Sequence, residues 1–195
     1  MTQLPLFPLS SLVMPDGLMP LRLFERRYLD MVSDSLKNNT GFGICLIKEG
    51  KEAGEPATPY AWGTHVKVVD FDQGKDGLLN IVAQGIEEFE LLDFKAEDSG
   101  LLTGHVTLLP RLASEIDADI TTLASKLDLI LRFVEQHVSY PEKKLEDPEW
   151  VCSRLLELLP LDAAEKFRLL KLRTVDARLA ELLKLNFKIE SAKAF

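Results

Sequence analysis

An α+β fold in two units is expected for this chain: a mostly antiparallel β sandwich or pseudo-barrel with one helix over residues 1–110, then a four-helix bundle over residues 111–195. Three observations carry that expectation. All 11 glycines fall between Gly17 and Gly104. The same region is built of short apolar runs broken by turn residues, the spacing of a sandwich or barrel. Beyond Pro110 the apolar residues recur instead at intervals of three and four, the signature of packed helices.

In the first unit, strands are expected at Leu4–Leu9, Leu18–Leu23, Phe42–Lys48, Ala61–Phe71, Leu78–Ala83, Ile86–Phe94 and Leu101–Leu109. Pro5, Pro8, Pro15 and Pro20 each remove a backbone donor, so the first strands should lie at sheet edges or be broken by turns. Pro15-Asp16-Gly17 is such a turn, with proline suited to its second position and glycine free to supply a positive φ. Phe24, Tyr28, Met31, Val32 and Leu36 lie at helical spacing, predicting a helix from about Phe24 to Asn38 that covers one opening of the sheet. Asn38-Asn39-Thr40-Gly41 stops it.

In the second unit, Ile116, Ile120, Leu123, Leu127, Ile130, Val134 and Val138 form one stripe, predicting a helix from near Ser114 to Ser139. Asp147 is placed to cap the next helix, with Pro148 in its first turn, where the absent donor costs nothing. Asp162 and Thr174 are the expected caps of two more helices.

Composition narrows the partners. The net charge of -8 sits almost wholly in the first unit, which carries 9 Lys and Arg against 16 Asp and Glu. A negative surface repels phosphate backbones, so nucleic acid is not an expected partner. No apolar run approaches the roughly 20 residues that cross a bilayer, and the amino terminus lacks a basic, apolar leader, so the expected place is the cytoplasm and no membrane partner is expected. Cys45 and Cys152 are expected as buried, reduced thiols. His65, His105 and His137 stand without paired ligand spacing, so no metal and no cofactor is expected. Glu87, Glu88 and Glu90 read as a solvated acidic edge, and Glu25, Arg26 and Arg27 as a charged helix start that holds a loop through ion pairs.

The opening from Leu4 to Tyr28, with its proline rhythm running into a helix start, resembles the beginning of the Lon amino-terminal domain. That domain is the substrate-binding module preceding the ATPase of Lon proteases, and it also occurs as a free-standing bacterial protein. Phe42-Gly43-Ile44-Cys45-Leu46-Ile47 looks like the family's second core strand, and Trp62-Gly63-Thr64-His65-Val66-Lys67-Val68 is similar to its Gly-Thr strand. Gly85-Ile86-Glu87-Glu88-Phe89 stands where the family has Gly-x-x-Arg-Phe, with Glu88 in place of the arginine. Asp147-Pro148 and Leu159-Pro160-Leu161 resemble the family's helical end, so nearly the whole chain is covered, 1–110 as the Lon-type β domain and 111–195 as the helical one.

Neither a phosphate-binding Gly-x-x-x-x-Gly-Lys-Ser/Thr loop nor a protease segment with a serine nucleophile and lysine base occurs in these 195 residues. The resemblance therefore implies a non-catalytic module that recognises polypeptide, including unfolded chains; the other reading is an adaptor for one folded partner. A reader of unfolded chains needs an exposed apolar groove, a free strand edge, or both. The loop positions Met14, Leu18, Met19, Leu78 and Leu79 are the expected polypeptide-binding residues, because methionine adapts to varied partners. The competing reading is that they plug the β unit. No catalytic residue is expected, Cys45 having only apolar neighbours.

Overall fold

A computed structural model describes residues 2–112, 120–135, 140 and 142–185, and it separates the chain into two compact units, residues 1–110 and 111–195. The first holds six strands, β1 (Thr2–Leu9), β2 (Leu18–Leu23), β3 (Phe42–Glu49), β4 (Thr58–Gln73), β5 (Leu79–Ala96) and β6 (Leu102–Leu108), with helix α1 (Arg26–Asn38) between β2 and β3. Strand order is β2-β5-β4-β3-β1-β6, and β6 pairs again with β5, so the ladders run in a closed ring with β2 attached to its side. The sheet is mixed: β1 and β3 are parallel, and every other ladder is antiparallel.

Two expectations are corrected here. The predicted strands Leu78–Ala83 and Ile86–Phe94 are one continuous strand, β5, of 18 residues. Gly85 does not break it, because it stays extended opposite Val66. That length lets the first half of β5 pair with β2 and the second half with β6, which closes the ring. The proline-bearing β1 is not an edge strand either. Thr2–Leu6 pairs with β6 and Leu6–Leu9 with β3, so Leu6 alone has neighbours on both sides. Pro5 and Pro8 each fall in a half with a single neighbour, where a missing donor is tolerated.

The Met14–Gly17 turn is closed by the Gly17 amide donating to the Met14 carbonyl at 2.9 Å, with Pro15 in the second position. Its positive φ falls on Asp16 (63°), not on the glycine, since a turn of this hand needs it at the third position and aspartate tolerates it. Helix α1 ends as its sequence predicts, with Asn39 left-handed at φ 50°.

The ring is filled by Leu4, Leu6, Cys45, Phe89, Leu91, Leu102 and Val106. Phe89 is accommodated by what its neighbours lack: a Cβ on Gly63 would stand 2.5 Å from the ring, and one on Gly43 2.7 Å. The Gly-Thr pair thus has two tasks. Gly63 makes room for Phe89, while the buried Thr64 hydroxyl donates to the Val13 carbonyl at 2.6 Å and ties the segment before the turn to β4. Thr64→Val keeps the shape and leaves that carbonyl unpaired; a loss of about 1–2 kcal/mol in urea-unfolding stability is expected.

The described residues of the second unit form α2 (Thr121–Val134), α3 (Pro148–Leu158), α4 (Ala163–Leu170) and α5 (Val175–Lys184). The parts of the predicted Ser114–Ser139 helix over 114–119 and 136–139 lie outside the described residues. The three predicted caps are present. Asp147 accepts from the amides of Glu149 and Trp150, Asp162 from Glu165, and Thr174 from Ala177. Helix α3 packs against α2 and α5, and α5 against α4.

Candidate polypeptide-binding groove

Among the described residues strand β2 has one neighbour, β5, and its other edge carries no ladder. Beside that edge lies a cleft of about 230 Å³ between β2, the start of α1 and the end of β1. Leu21, Leu23 and Phe24 line it from the β2 side, and Phe7, Leu9 and Tyr28 from the other. The arrangement follows from local sequence. Helix α1 begins right after β2 and turns Tyr28 under the cleft, where its ring stacks on Phe7 at 3.9 Å. The Arg27 guanidinium sits 4.7 Å above the Tyr28 ring. Phe24, between strand and helix, remains 61% exposed.

Arg27, itself buried, pairs with Glu25 at 2.9 Å and donates to the Gly100 carbonyl at 2.8 Å, so the charged helix start does hold a loop, the β5–β6 turn. Arg22 on β2 pairs with Asp76. Glu52 accepts from the Ser10 amide at 2.6 Å and from the Ser10 hydroxyl. Burial pushes the Tyr28 phenol up, with Glu25 and Glu52 adding to the rise and Arg27 opposing it. The cleft is therefore apolar in its floor and charged at its rim.

A second cleft, of about 430 Å³, lies between α1 and the turn before β6; its lining mixes Arg27, Asp30, Asp34, Ser35 and Asn38 with the apolar Pro5, Met31 and Leu101. Its groups are engaged along the helix: Asp30 with Arg26 at 2.9 Å, Asp34 with Lys37 at 3.6 Å, and the Ser35 hydroxyl donating to the Thr40 carbonyl at 3.0 Å.

The expected binding residues fall into two groups. Met14 and Met19 are buried, at 0% and 1% exposure, beneath the turn and β2. Leu18, Leu78 and Leu79 are half-buried, with Leu79 directly opposite Leu23 on the β2–β5 ladder. The cleft residues Leu21, Phe24, Phe7 and Tyr28 were not singled out by sequence. The signal available for them was Pro20 in a short strand, which marks an open edge.

Glu88 corrects the acidic-edge expectation. It is 7% exposed and accepts from the Trp62 indole at 2.8 Å: alternation places it on the face of β5 opposite Phe89, where Trp62 and Thr64 of β4 also lie, at the position where the resemblance expects arginine. Glu87 approaches His65 at 3.4 Å, and Glu90 is exposed. His105 lies 2.7 Å from Asp93 and holds that carboxyl below its ordinary range. His137 lies outside the described residues. Among the described residues no group of three His, Cys, Asp or Glu side chains is placed to hold a metal ion. Cys45 and Cys152 are buried, and burial drives the Cys45 thiol far above its ordinary value, so its nucleophilic thiolate is suppressed. No described helix is long and apolar enough to cross a membrane.

The family model of the ATP-dependent protease La (LON) substrate-binding domain matches residues 3–185. The chain belongs to that family. The Lon family resemblance extends to solved structures: a Lon N-terminal domain protein from Xanthomonas campestris is 36% identical, with a TM-score of 0.75 over 94% of this chain and 98% of that one. The N-terminal domain of a Mycobacterium avium complex Lon protease shares the fold at 18% identity, with a TM-score of 0.63 over 93% of this chain and 96% of that one. Among curated proteins, the Lon protease of Anaeromyxobacter dehalogenans is 24% identical over 97% of this chain, and Lon protease 2 of Myxococcus xanthus 23% over the same share. The chain spans about a quarter of the length of each of these two proteases.

Proposed function

We propose that this Lon-family domain is a non-catalytic, cytoplasmic holder of extended polypeptide, including unfolded or misfolded chains, and that the open edge of β2 with its adjoining cleft is the contact surface. One observation carries the reading: a strand edge that is unpaired among the described residues lies directly beside an apolar cleft. Main-chain groups of an added strand would find partners on β2 on either side of Pro20, which offers only its carbonyl, and every second side chain would face the cleft, the division of labour in strand addition. The six residues of β2 match a segment about 20 Å long. Leu18 and Leu79 extend the apolar surface at either end of the strand, and the buried Met14 and Met19 brace it from beneath. The negative charge of the first unit keeps nucleic acid off this surface.

A second reading, an adaptor for one folded partner, rests on Leu129 and Phe133, which are 48% and 58% exposed one turn apart on α2. Fluorescence anisotropy with a labelled, unstructured peptide of alternating apolar residues separates the two. Phe24→Asp should weaken binding at least tenfold while leaving the melting temperature within about 2 °C, since an exposed side chain contributes little to stability. Phe133→Asp should leave peptide affinity unchanged. The reverse pattern would move the site to α2.

A further inference from the structure

The polypeptide-binding reading leaves open which segments the groove prefers, and the charges at its rim bear on that choice. Two of them, Arg22 and Glu25, are already engaged in ion pairs. Arg22 is paired with Asp76, and Arg27 is paired with Glu25 and also serves the Gly100 carbonyl. Glu52 differs: it accepts from the amide and hydroxyl of Ser10, and among the described residues it pairs with no cation. It lines the cleft next to Ala53, across from Phe24 and Leu21. Lys51 precedes it in the chain but makes no ion pair among the described residues. Around this carboxylate the whole β unit carries 9 cationic against 16 anionic side chains. An incoming chain therefore meets a negative field from a distance and, at the cleft, a carboxylate with no counter-ion among the described residues.

We propose that the groove selects extended segments in which apolar residues are flanked by lysine or arginine, with Glu52 the residue that reads the flanking cation. The apolar side chain enters between Phe24 and Tyr28, and the cation stays at the wet rim against Glu52, its aliphatic stem lying along the cleft wall. Segments with acidic flanks are rejected by the same carboxylate and by the unit's field, so the discrimination is repulsive as well as attractive. This inference rests on the proposed function, and its test keeps the two apart.

Three peptides with one apolar centre and flanks of two lysines, two serines or two glutamates are titrated against the whole chain at low salt. The lysine peptide is expected to bind at least fivefold more tightly than the glutamate peptide, with the serine peptide between them. The gap should shrink towards unity at 0.5 M salt, where exposed charges are screened within about 5 Å. Glu52→Gln keeps an oxygen to accept from Ser10 and should narrow the gap; Glu52→Lys should close or invert it. Equal affinities for the lysine and glutamate peptides, or a preference untouched in Glu52→Lys, would overturn the assignment while leaving polypeptide binding intact if the serine peptide still binds. If none of the three binds, the proposed function itself falls, and this inference with it.

Discussion

Replacing Arg154 with alanine is expected to destabilise the helical unit by about 3–5 kcal/mol, the usual cost of stranding one member of a buried ion pair. Arg154 and Glu157 lie one turn apart on α3 with both side chains at 0% exposure, joined by two bonds of 2.6 and 2.7 Å. The guanidinium stands 5.4 Å from the Tyr140 ring and 5.6 Å from the Trp150 ring, and those rings meet edge to face at 5.7 Å. Tyr140 also reaches Glu157 through its hydroxyl at 3.3 Å, and the Lys166 ammonium donates to the Glu157 carbonyl at 2.9 Å. Burial pushes the Lys166 amine down to about 8, against the pull of Glu157, so it is still charged at neutral pH.

In the alanine variant the Glu157 carboxylate keeps its burial and loses its forked partner, and a cavity opens beside the Tyr140 and Trp150 rings. Urea unfolding followed by far-ultraviolet circular dichroism should show the drop. The double variant Arg154→Met, Glu157→Leu should recover most of it, because an apolar pair of similar volume removes both desolvated charges together. A single-variant loss below about 1 kcal/mol would mean that the pair is not buried in solution.

Gly85→Ala has the second large effect, and it reaches the groove. A Cβ there would collide with the Met14 carbonyl oxygen and stand 2.7 Å from its carbon and 3.2 Å from the Pro15 nitrogen. These are backbone atoms of the Met14–Gly17 turn, which is clamped onto β5 by the Asp16 amide donating to the Gly85 carbonyl and the Gly85 amide donating to the Gly17 carbonyl, both at 2.9 Å. A flexible side chain would swing aside, but this turn moves only by giving up those bonds. Overpacking of this kind costs about 1–3 kcal/mol, and each lost backbone bond adds about 1 kcal/mol. Because the turn leads directly into β2, peptide affinity should fall along with the melting temperature, unlike in Phe24→Asp, where only affinity falls. An unchanged melting temperature in Gly85→Ala would show that the turn does not lie on β5.

The elements whose information is local were legible in the chain. Helix starts at Asp147, Asp162 and Thr174, the stop at Asn39, and β2 at Leu18–Leu23 all follow from residues within a turn of the boundary. The Lon resemblance was carried by short strings in the same way, and Gly63, Thr64, Gly85 and Phe89 turn out to be one packing arrangement, spread over two adjacent strands and the turn laid upon them.

What the linear pattern left undecided depends on distant partners. A glycine in an apolar run reads as a break, yet β5 runs straight through Gly85 because β4 holds it on one side and the turn occupies the space a side chain would need. Glu88 reads as one of three solvated acids until Trp62, 26 residues away, gives it a donor. Met14 and Met19 read as available loop residues, and only the closing of β2 onto β5 buries them, while Leu21 and Phe24, in the same stretch of chain, are left lining a cleft. Local hydrogen bonding and side-chain periodicity act within a few residues, so the sequence alone determined the helix caps and the turn-bounded strands, but not the continuity of β5. Which face of each element loses contact with water is a property of the assembled sheet, and only the tertiary structure decided it.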